Sequence, residues 1–389
     1  MRVLMLAPTP FFGDRGCHIR ILEETRALRP HGIEVLVATY PVGRDVAGVR
    51  TVRAPALPWV RTLPVGFSSH KPGLDLLLLL TAARAARRFG PHVIHGHLHE
   101  GAVLGRLLAG RRRSALVADL QGSLTGELAD HGDLPRTGPV TGIARRVERA
   151  VVRGPARVLA SSSAFARELT ERWEVPAARI VSLPDGVDPE TFRPGLASDD
   201  LRRRYGLEGR RVVAFLGVLA AYQGVDDLLE AWPAVVAAVP DAHLLLMGYP
   251  DDDRYRARVA AAGLSDSVTV TGRIDYALAP RYLGLATVAV SPKRSATEAN
   301  GKLLNYMATG LPTVAYDGPV AREILGDAGT LVPRGDVSAL ARALASLLDD
   351  PAECRRRGAA LRERAVTEFG WPALARRLVD VYRDVGGPA

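Results

Sequence analysis

Cysteine, lysine and aromatic residues are what this 389-residue chain has least of: two cysteines, three lysines and 6% aromatics. Cys17 and Cys354 stand far apart with no metal-ligand spacing around either, which argues against a disulfide scaffold and points to a reducing compartment. The few aromatics do not interleave with basic residues, so nucleic-acid binding is a poor fit. No apolar run approaches the length of a membrane span, the nearest being Leu76 to Leu80. The chain begins MRVLMLAP, a strand pattern closed by Pro8 and not a secretory leader. A cytoplasmic protein is expected, with any membrane contact peripheral, at the inner face.

What is present suits two domains, because 47% hydrophobic residues over this length exceed one ordinary core. The net charge of +9 belongs to the first half, where residues 1 to 190 carry 26 basic against 18 acidic side chains and the remainder 25 against 24. Such asymmetry fits an anionic membrane, a phosphorylated substrate or nucleic acid. An arginine-rich, lysine-poor composition also follows from coding bias, so charge alone assigns no partner.

Apolar Val3 to Ala7, the loop TPFFGDRG, a helix from Cys17 to Arg29 and apolar Val35 to Tyr40 read as a β-α-β unit. Gly16, at the helix start, is either a tight turn or the close backbone approach by which such units hold phosphates. Residues 55 to 72 form a long connection with four prolines, Trp59 and Phe67, of a length that is often functional. The helix pattern from Leu74 to Phe89 is apolar all round between Leu76 and Leu80, which predicts a buried core helix, a membrane-surface helix being the lesser reading. Val93 to His97 is a strand ending in HGHLHEG. His95, His97 and His99 alternate and would share one side of a continuous strand, where three imidazoles could ligate zinc. Hydrogen-bonding histidines in a polar cleft are the favoured reading, because the strand is expected to end before His99. Leu116 to Leu120 opens into QGSLTGELADHGDLPRTGPV, a polar segment at the carboxyl edge where open α/β sheets bind ligands.

After PDGVDPETFRP, read as an interdomain linker, the same grammar restarts with strands at Val212 to Gly217, His243 to Met247, Val268 to Thr271 and Thr287 to Ser291. Two Rossmann-like halves with a cleft between them are implied. The chemistry concentrates in SPKRSATEANGKLLNYMATGLP, from Ser291 to Pro312, a strand end, a polar loop and a short helix from Gly301 to Ala308. Two of the three lysines, Lys293 and Lys302, flank this loop with Arg294, Glu298 and Asn300. Cations, helix N–H groups and hydroxyl-binding polar side chains together suit a phosphate beside a polyhydroxylated group, and an ordinary solvated connection is the other reading.

The combination resembles the retaining family 4 glycosyltransferases of the GT-B fold over nearly the whole chain. SSSAFARELTERWEVPAARIVSLPDGVDPETFRP is similar to their interdomain signature, FLGVLAAYQGVDDLLEAW to the opening of their second domain, and NYMATGLPTVAYDGPVAREILGDAGTLVPRGD to the donor-site helix and following turns. VIHGHLHEG and FGWPALARRLVDVY resemble the strand-end histidine motif and the terminal helix. The resemblance implies an α/β GT-B architecture of two Rossmann-like domains facing each other across a cleft. It implies an acceptor domain over 1–187, a nucleotide-sugar domain over 188–370 and a helix over 371–389 that returns to the first. The implied activity moves a hexosyl group from a UDP- or GDP-sugar to a hydroxyl of a glycan or lipid-linked acceptor, with retention and neither metal nor cofactor. His97, Glu298 and Lys302 take the catalytic places, His97 against the donor sugar. Gly16 faces the diphosphate and Arg273 and Ile274 bracket the base, with Gly217, Gln223, Arg294, Asn300, Gly301, Leu303 and Asn305 completing the donor site.

The sequence departs from that pattern where the phosphate-binding Arg and Lys fall on Val218 and Gln223, and where paired glutamates become Glu298 and Asn305. Lys302 and Arg294, with Arg15 or Lys293, are expected to supply the missing charge. No carboxylate stands out as a double-displacement nucleophile, Asp119 and Glu100 being the nearest candidates. Two alternatives remain open: a degenerate nucleotide-sugar-binding partner subunit, and a sugar-nucleotide epimerase of the same fold.

Overall fold

A computed structural model describes residues 1–13, 16–57, 70–110, 114–130, 134–135, 137–196, 198–295 and 299–386. Residues 58–69 of the connection, with Trp59 and Phe67, lie outside them, as do Arg15 and Glu298. The chain divides into two units: Met1–Asp185 with Thr297–Ala299 and Trp371–Ala389, and Gly186–Ala296 with Asn300–Gly370.

Unit 1 is a parallel sheet of strands β1 (Arg2–Ala7), β2 (Glu34–Thr39), β3 (Thr51–Arg53), β4 (Val93–His97), β5 (Ala115–Leu120), β6 (Arg157–Ala160) and β7 (Ile180–Ser182), ordered β3-β2-β1-β4-β5-β6-β7. Its apolar strands are buried on both faces, as helical crossovers require. Helix α1 (Gly16–Leu28) joins β1 to β2 and packs with the Trp371–Gly386 helix. Helices α2 (Lys71–Phe89), α3 (Leu98–Ala109), α4 (Leu124–Asp130), α5 (Pro139–Val152) and α6 (Ser163–Glu171) make the later crossovers. The strand order reverses between β1 and β4, so ligands are expected outside the carboxyl ends of those two strands.

Helix α2 is not the buried core helix that its leucine run predicts. Leu74, Leu78, Ala82 and Ala86 of α2 are buried at four-residue spacing and Phe89 closes the row, whereas Leu76 and Leu80 are 58% and 45% exposed, so the helix is not buried all round. The polar segment after β5 contains α4 and α5, whose exposed Val140, Ile143 and Val147 hid the usual core periodicity.

Unit 2 holds α7 (Asp199–Arg204), β8 (Arg211–Leu216), α8 (Val225–Ala238), β9 (Ala242–Met247), α9 (Asp252–Ala261), β10 (Val268–Gly272), α10 (Ala279–Leu283), β11 (Val288–Ser291), α11 (Lys302–Ala308), β12 (Thr313–Tyr316), α12 (Pro319–Leu325), β13 (Thr330–Val332), α13 (Val337–Asp349) and α14 (Pro351–Glu368). The parallel sheet runs β10-β9-β8-β11-β12-β13, and its order reverses between β8 and β11. Two apolar layers cover it, one of them receiving Leu303, Leu304, Tyr306 and Met307 of α11. Tyr306 fixes that helix to the end of β8, its hydroxyl accepting the Leu216 N–H at 2.7 Å, and burial pushes the phenol well above its ordinary pKa.

The loops after β8 and β11 touch at Gly224, which has φ +74° and where a Cβ would lie 1.8 Å from the Pro292 carbonyl oxygen. Gly224→Ala is therefore expected to cost about 2 to 4 kcal/mol, from backbone strain plus forced separation of the loops. Gly263 has φ +67° with nothing within 4 Å of its Cβ position, so Gly263→Ala should cost only about 1 kcal/mol. Urea unfolding of the two variants measures the difference.

His243 on β9 is buried, shares a 2.8 Å hydrogen bond with Thr269, and is lowered to a pKa of about 4, mainly by burial and further by Arg210. The unfolded chain therefore binds this proton first as pH falls, so stability present above pH ~6.5 is lost toward pH 4, by about 3 kcal/mol in all. Urea titrations across that window should show the slope for the wild-type chain and a flatter one for His243→Gln.

Candidate active site

In unit 2 the reversal point gathers the post-β8 loop, the post-β11 loop and the start of α11. Lys302 reaches back to β8: its Nζ donates to Gln223 Oε1 at 2.7 Å and lies 4.2 Å from the centre of the Phe215 ring. Gly217 has φ +148°, and a Cβ there would stand 2.8 Å from the same nitrogen. Glycine thus gives the ammonium its place at the strand end. Gln223, one of the two departures in the phosphate motif, is the acceptor that orients this cation; a lysine there would set two ammonium groups against each other.

Arg294 is held differently. Its guanidinium forks onto Asp227 at 2.8 and 2.6 Å, and Tyr316 Oη donates to the same carboxylate at 2.8 Å. The hydrogen bond with Asp227 raises the Arg294 pKa further, and the Arg294 N–H donates to the Tyr222 carbonyl, tying the two loops together. Asp227 was not singled out from the sequence, where it looks like an acid in a first helical turn. Asn300 Nδ2 donates to Ser291 Oγ at 3.1 Å. The Leu303 N–H donates to the Asn300 carbonyl and the Leu304 N–H to Gly301, so the turn into α11 uses those groups internally, and the Leu303 side chain is core. Asn305 and Lys293 are buried. Arg273 lies 5.3 Å from the Tyr249 ring, and the half-buried Ile274 packs on the core beneath.

In unit 1 the end of β4 belongs to a buried polar cluster. His95 and His97 stack with ring centres 4.2 Å apart, and Leu98 at φ +62° turns the chain so that His99 leaves them to approach Glu148 at 3.7 Å. The alternation breaks before His99, as expected. His97 Nδ1 is 3.2 Å from Asp119 Oδ2, with Nε2 3.8 Å from Glu24, and the ring is fully buried. Arg20 binds Asp119 at 2.6 Å, Glu24 at 3.1 Å, Asp185 at 2.9 Å and the Leu183 carbonyl at 3.0 Å. Burial opposes ionisation of Asp119, yet Arg20 and His97 hold it well below the usual carboxylate range, while burial beside Asp119 pushes Glu24 up. Burial also keeps His95 neutral, its Nδ1 2.6 Å from Tyr382 Oη.

Ligand atoms of Glu24, His95, His97 and Asp119 lie within 4.8 Å of one another, close enough for a metal by distance. The donor set does not fit one, because the Arg20 guanidinium already occupies the cluster, pairing with the ionised Asp119, while burial beside that charge pushes Glu24 toward its neutral acid. Arg20 and Glu24 were missed in the sequence, where only their four-residue spacing within an apolar helix gives a signal. Glu100 pairs with Lys71 at 2.8 Å and stays ionised despite burial, because that lysine outweighs it. Among the described residues nothing lies within 4 Å of a Cβ at Gly16, so packing does not demand glycine there.

Residues 15–186 match the glycosyl transferase 4-like domain, and residues 210–350 match glycosyl transferases group 1. A GDP-mannose-dependent alpha-(1-6)-phosphatidylinositol monomannoside mannosyltransferase of Mycobacterium tuberculosis (strain CDC 1551 / Oshkosh) is 32% identical over 287 residues, covering 71% of this chain and 72% of its own. The phosphatidyl-myo-inositol mannosyltransferase of Mycolicibacterium smegmatis is 28% identical over 407 residues, covering 100% and 95%. Sucrose-phosphate synthase from Thermosynechococcus elongatus shares the fold, with a TM-score of 0.84 over 99% of each chain at 22% identity. With two Rossmann-like units and both halves matched, the chain belongs to the family 4 glycosyltransferases of the GT-B fold.

Proposed function

We propose that this glycosyltransferase moves a hexosyl group from a UDP- or GDP-sugar to a hydroxyl of a glycan or lipid-linked acceptor, with retention and without a metal. The observation that carries the reading is Lys302, seated by Gln223 and Gly217 where the sheet of unit 2 reverses. A nucleoside diphosphate gains negative charge as it leaves, and a fixed ammonium at that edge stabilises the charge without reorganising. In the step, the bond from the anomeric carbon to the β-phosphate oxygen breaks and the acceptor oxygen bonds the same face. The acceptor proton passes to the departing phosphate. Asp119 is held under Arg20 and Glu100 is paired with Lys71, which supports this route over a covalent intermediate on either carboxylate.

Of the three residues assigned to catalysis, Lys302 carries the proposal; Glu298 lies outside the described residues, and His97 is buried against Asp119. The nucleoside is assigned to Arg273 and Ile274, the sugar and ribose hydroxyls to Asn300 and Asn305, and the acceptor to unit 1. The relatives' names make GDP-mannose the first donor to try and an inositol lipid the first acceptor. Nucleotide release from a panel of UDP- and GDP-sugars, with EDTA present, tests the reading. One donor is expected to turn over undiminished by EDTA. The second reading, a binding subunit without catalysis, draws on neutral Val218, Gln223 and Asn305 and predicts calorimetric binding of a donor with no release.

A further inference from the structure

The outward face of unit 1 carries a feature that donor chemistry does not use. Of nine large hydrophobic side chains standing exposed among the described residues, seven lie on the neighbouring helices α2, α3 and α5. Val140, Ile143 and Val147 form one stripe along α5, each more than half exposed, and Val103 and Leu107 stand out from α3. The two helices meet where Arg106 crosses from α3 to donate to the Ala150 carbonyl of α5 at 3.0 Å.

Charge on these helices is sorted by direction. Their acids turn inward: Asp75 accepts from Tyr40 at 2.6 Å, Glu100 pairs with Lys71, and Glu148 accepts the Leu124 and Thr125 N–H groups at 2.9 and 3.0 Å. Six of their seven arginines, Arg84, Arg87, Arg88, Arg106, Arg145 and Arg146, are exposed, and the seventh, Arg149, is half-buried and paired with Glu174. Arg106 also lines a cavity of about 550 Å³ with Arg179 and with Arg157, which is paired with Asp384, a recess that keeps a net positive sign toward an anionic headgroup. No helix among the described residues is long and apolar enough to cross a membrane.

We infer that the α2–α3–α5 face is a docking surface for an anionic lipid bilayer. Apolar side chains between outward arginines are what an interfacial helix needs, the first entering the acyl boundary and the second meeting anionic headgroups. A second copy of the chain is a poorer occupant, because a two-fold contact would set this arginine-rich face against itself.

The test is sedimentation of the full chain with phosphatidylcholine vesicles, with and without phosphatidylglycerol. Binding is expected only with phosphatidylglycerol and is expected to weaken as salt rises. Arg145→Glu with Arg146→Glu, and separately Ile143→Ser with Val147→Ser, should each lower it by about ten-fold or more. Both variants alter exposed positions, so thermal midpoints and nucleotide release from a soluble donor should stay at wild-type values, which separates this inference from the catalytic reading. Equal sedimentation with both vesicles, no sedimentation, or indifference to the variants overturns it. So does light scattering that shows a dimer which Ile143→Ser with Val147→Ser dissociates, since a second copy then covers the face.

Discussion

Lys302→Ala is expected to lower kcat/KM for the donor by on the order of 10², with most of the loss in kcat, because a charge that meets the leaving diphosphate acts most strongly in the transition state. The geometry sets the size of the effect. Lys302 Nζ is fixed by Gln223 and lies over the Phe215 ring, so its position is paid for during folding and not during the reaction. Gly217→Ala gives an independent check, because the added Cβ would stand 2.8 Å from the ammonium at a φ of +148°. Displacing the cation should reproduce a large part of the Lys302→Ala defect while leaving the lysine in place. Gln223→Leu, which removes the orienting acceptor and keeps the charge, should fall between wild type and Lys302→Ala. Steady-state kinetics on one donor ranks all three. A loss of only a few-fold in Lys302→Ala removes the lysine from the leaving-group site.

Arg20→Met is expected to be the most destabilising single change in unit 1, by about 3 to 5 kcal/mol. Arg20 is the cation that lets Asp119 sit ionised in a fully buried cluster, and it reaches Glu24, Asp185 and the Leu183 carbonyl as well. Without it a buried carboxylate stands uncompensated beside two imidazoles. For a unit of this size the loss corresponds to a fall in Tm on the order of 10 °C. Arg20→Lys should fail as well, because one ammonium does not span acceptors lying in several directions. Adding Asp119→Asn to Arg20→Met should recover part of the loss, since the orphaned charge then disappears. Calorimetric melts of the single and double variants decide this, and a single variant within about 1 kcal/mol of wild type would show that the cluster is not held by its charge.

Much of the fold was legible because parallel strands buried on both faces leave short apolar runs, and β4 appears in the sequence with its bounds, Val93 to His97. Strand β3 was not legible, since Thr51–Arg53 is three residues at a sheet edge with no residue buried. Helix α5 is obscured by its stripe of outward Val140, Ile143 and Val147, and the all-leucine stretch of α2 does not say which leucines face water. Within the candidate site, the Ser291–Pro312 segment drew attention through rare lysines and a strand-to-helix turn. What composition did not reveal is which charges are committed. Arg294 and Lys302 look alike in the sequence, yet the former is forked onto Asp227, 67 residues away, whereas Lys302 meets the amide of Gln223, 79 residues away. Asp119 likewise reads as available in the sequence, whereas in the fold Arg20, 99 residues distant, holds it.

The most direct test follows one reaction by proton NMR: an α-configured donor, GDP-mannose first and UDP-sugars next, with an inositol lipid or glycan acceptor and EDTA throughout. Free nucleoside diphosphate is expected in step with a new α-linked anomeric signal. A β-linked product, an isomeric nucleotide sugar, or a donor that binds and is never consumed would contradict it.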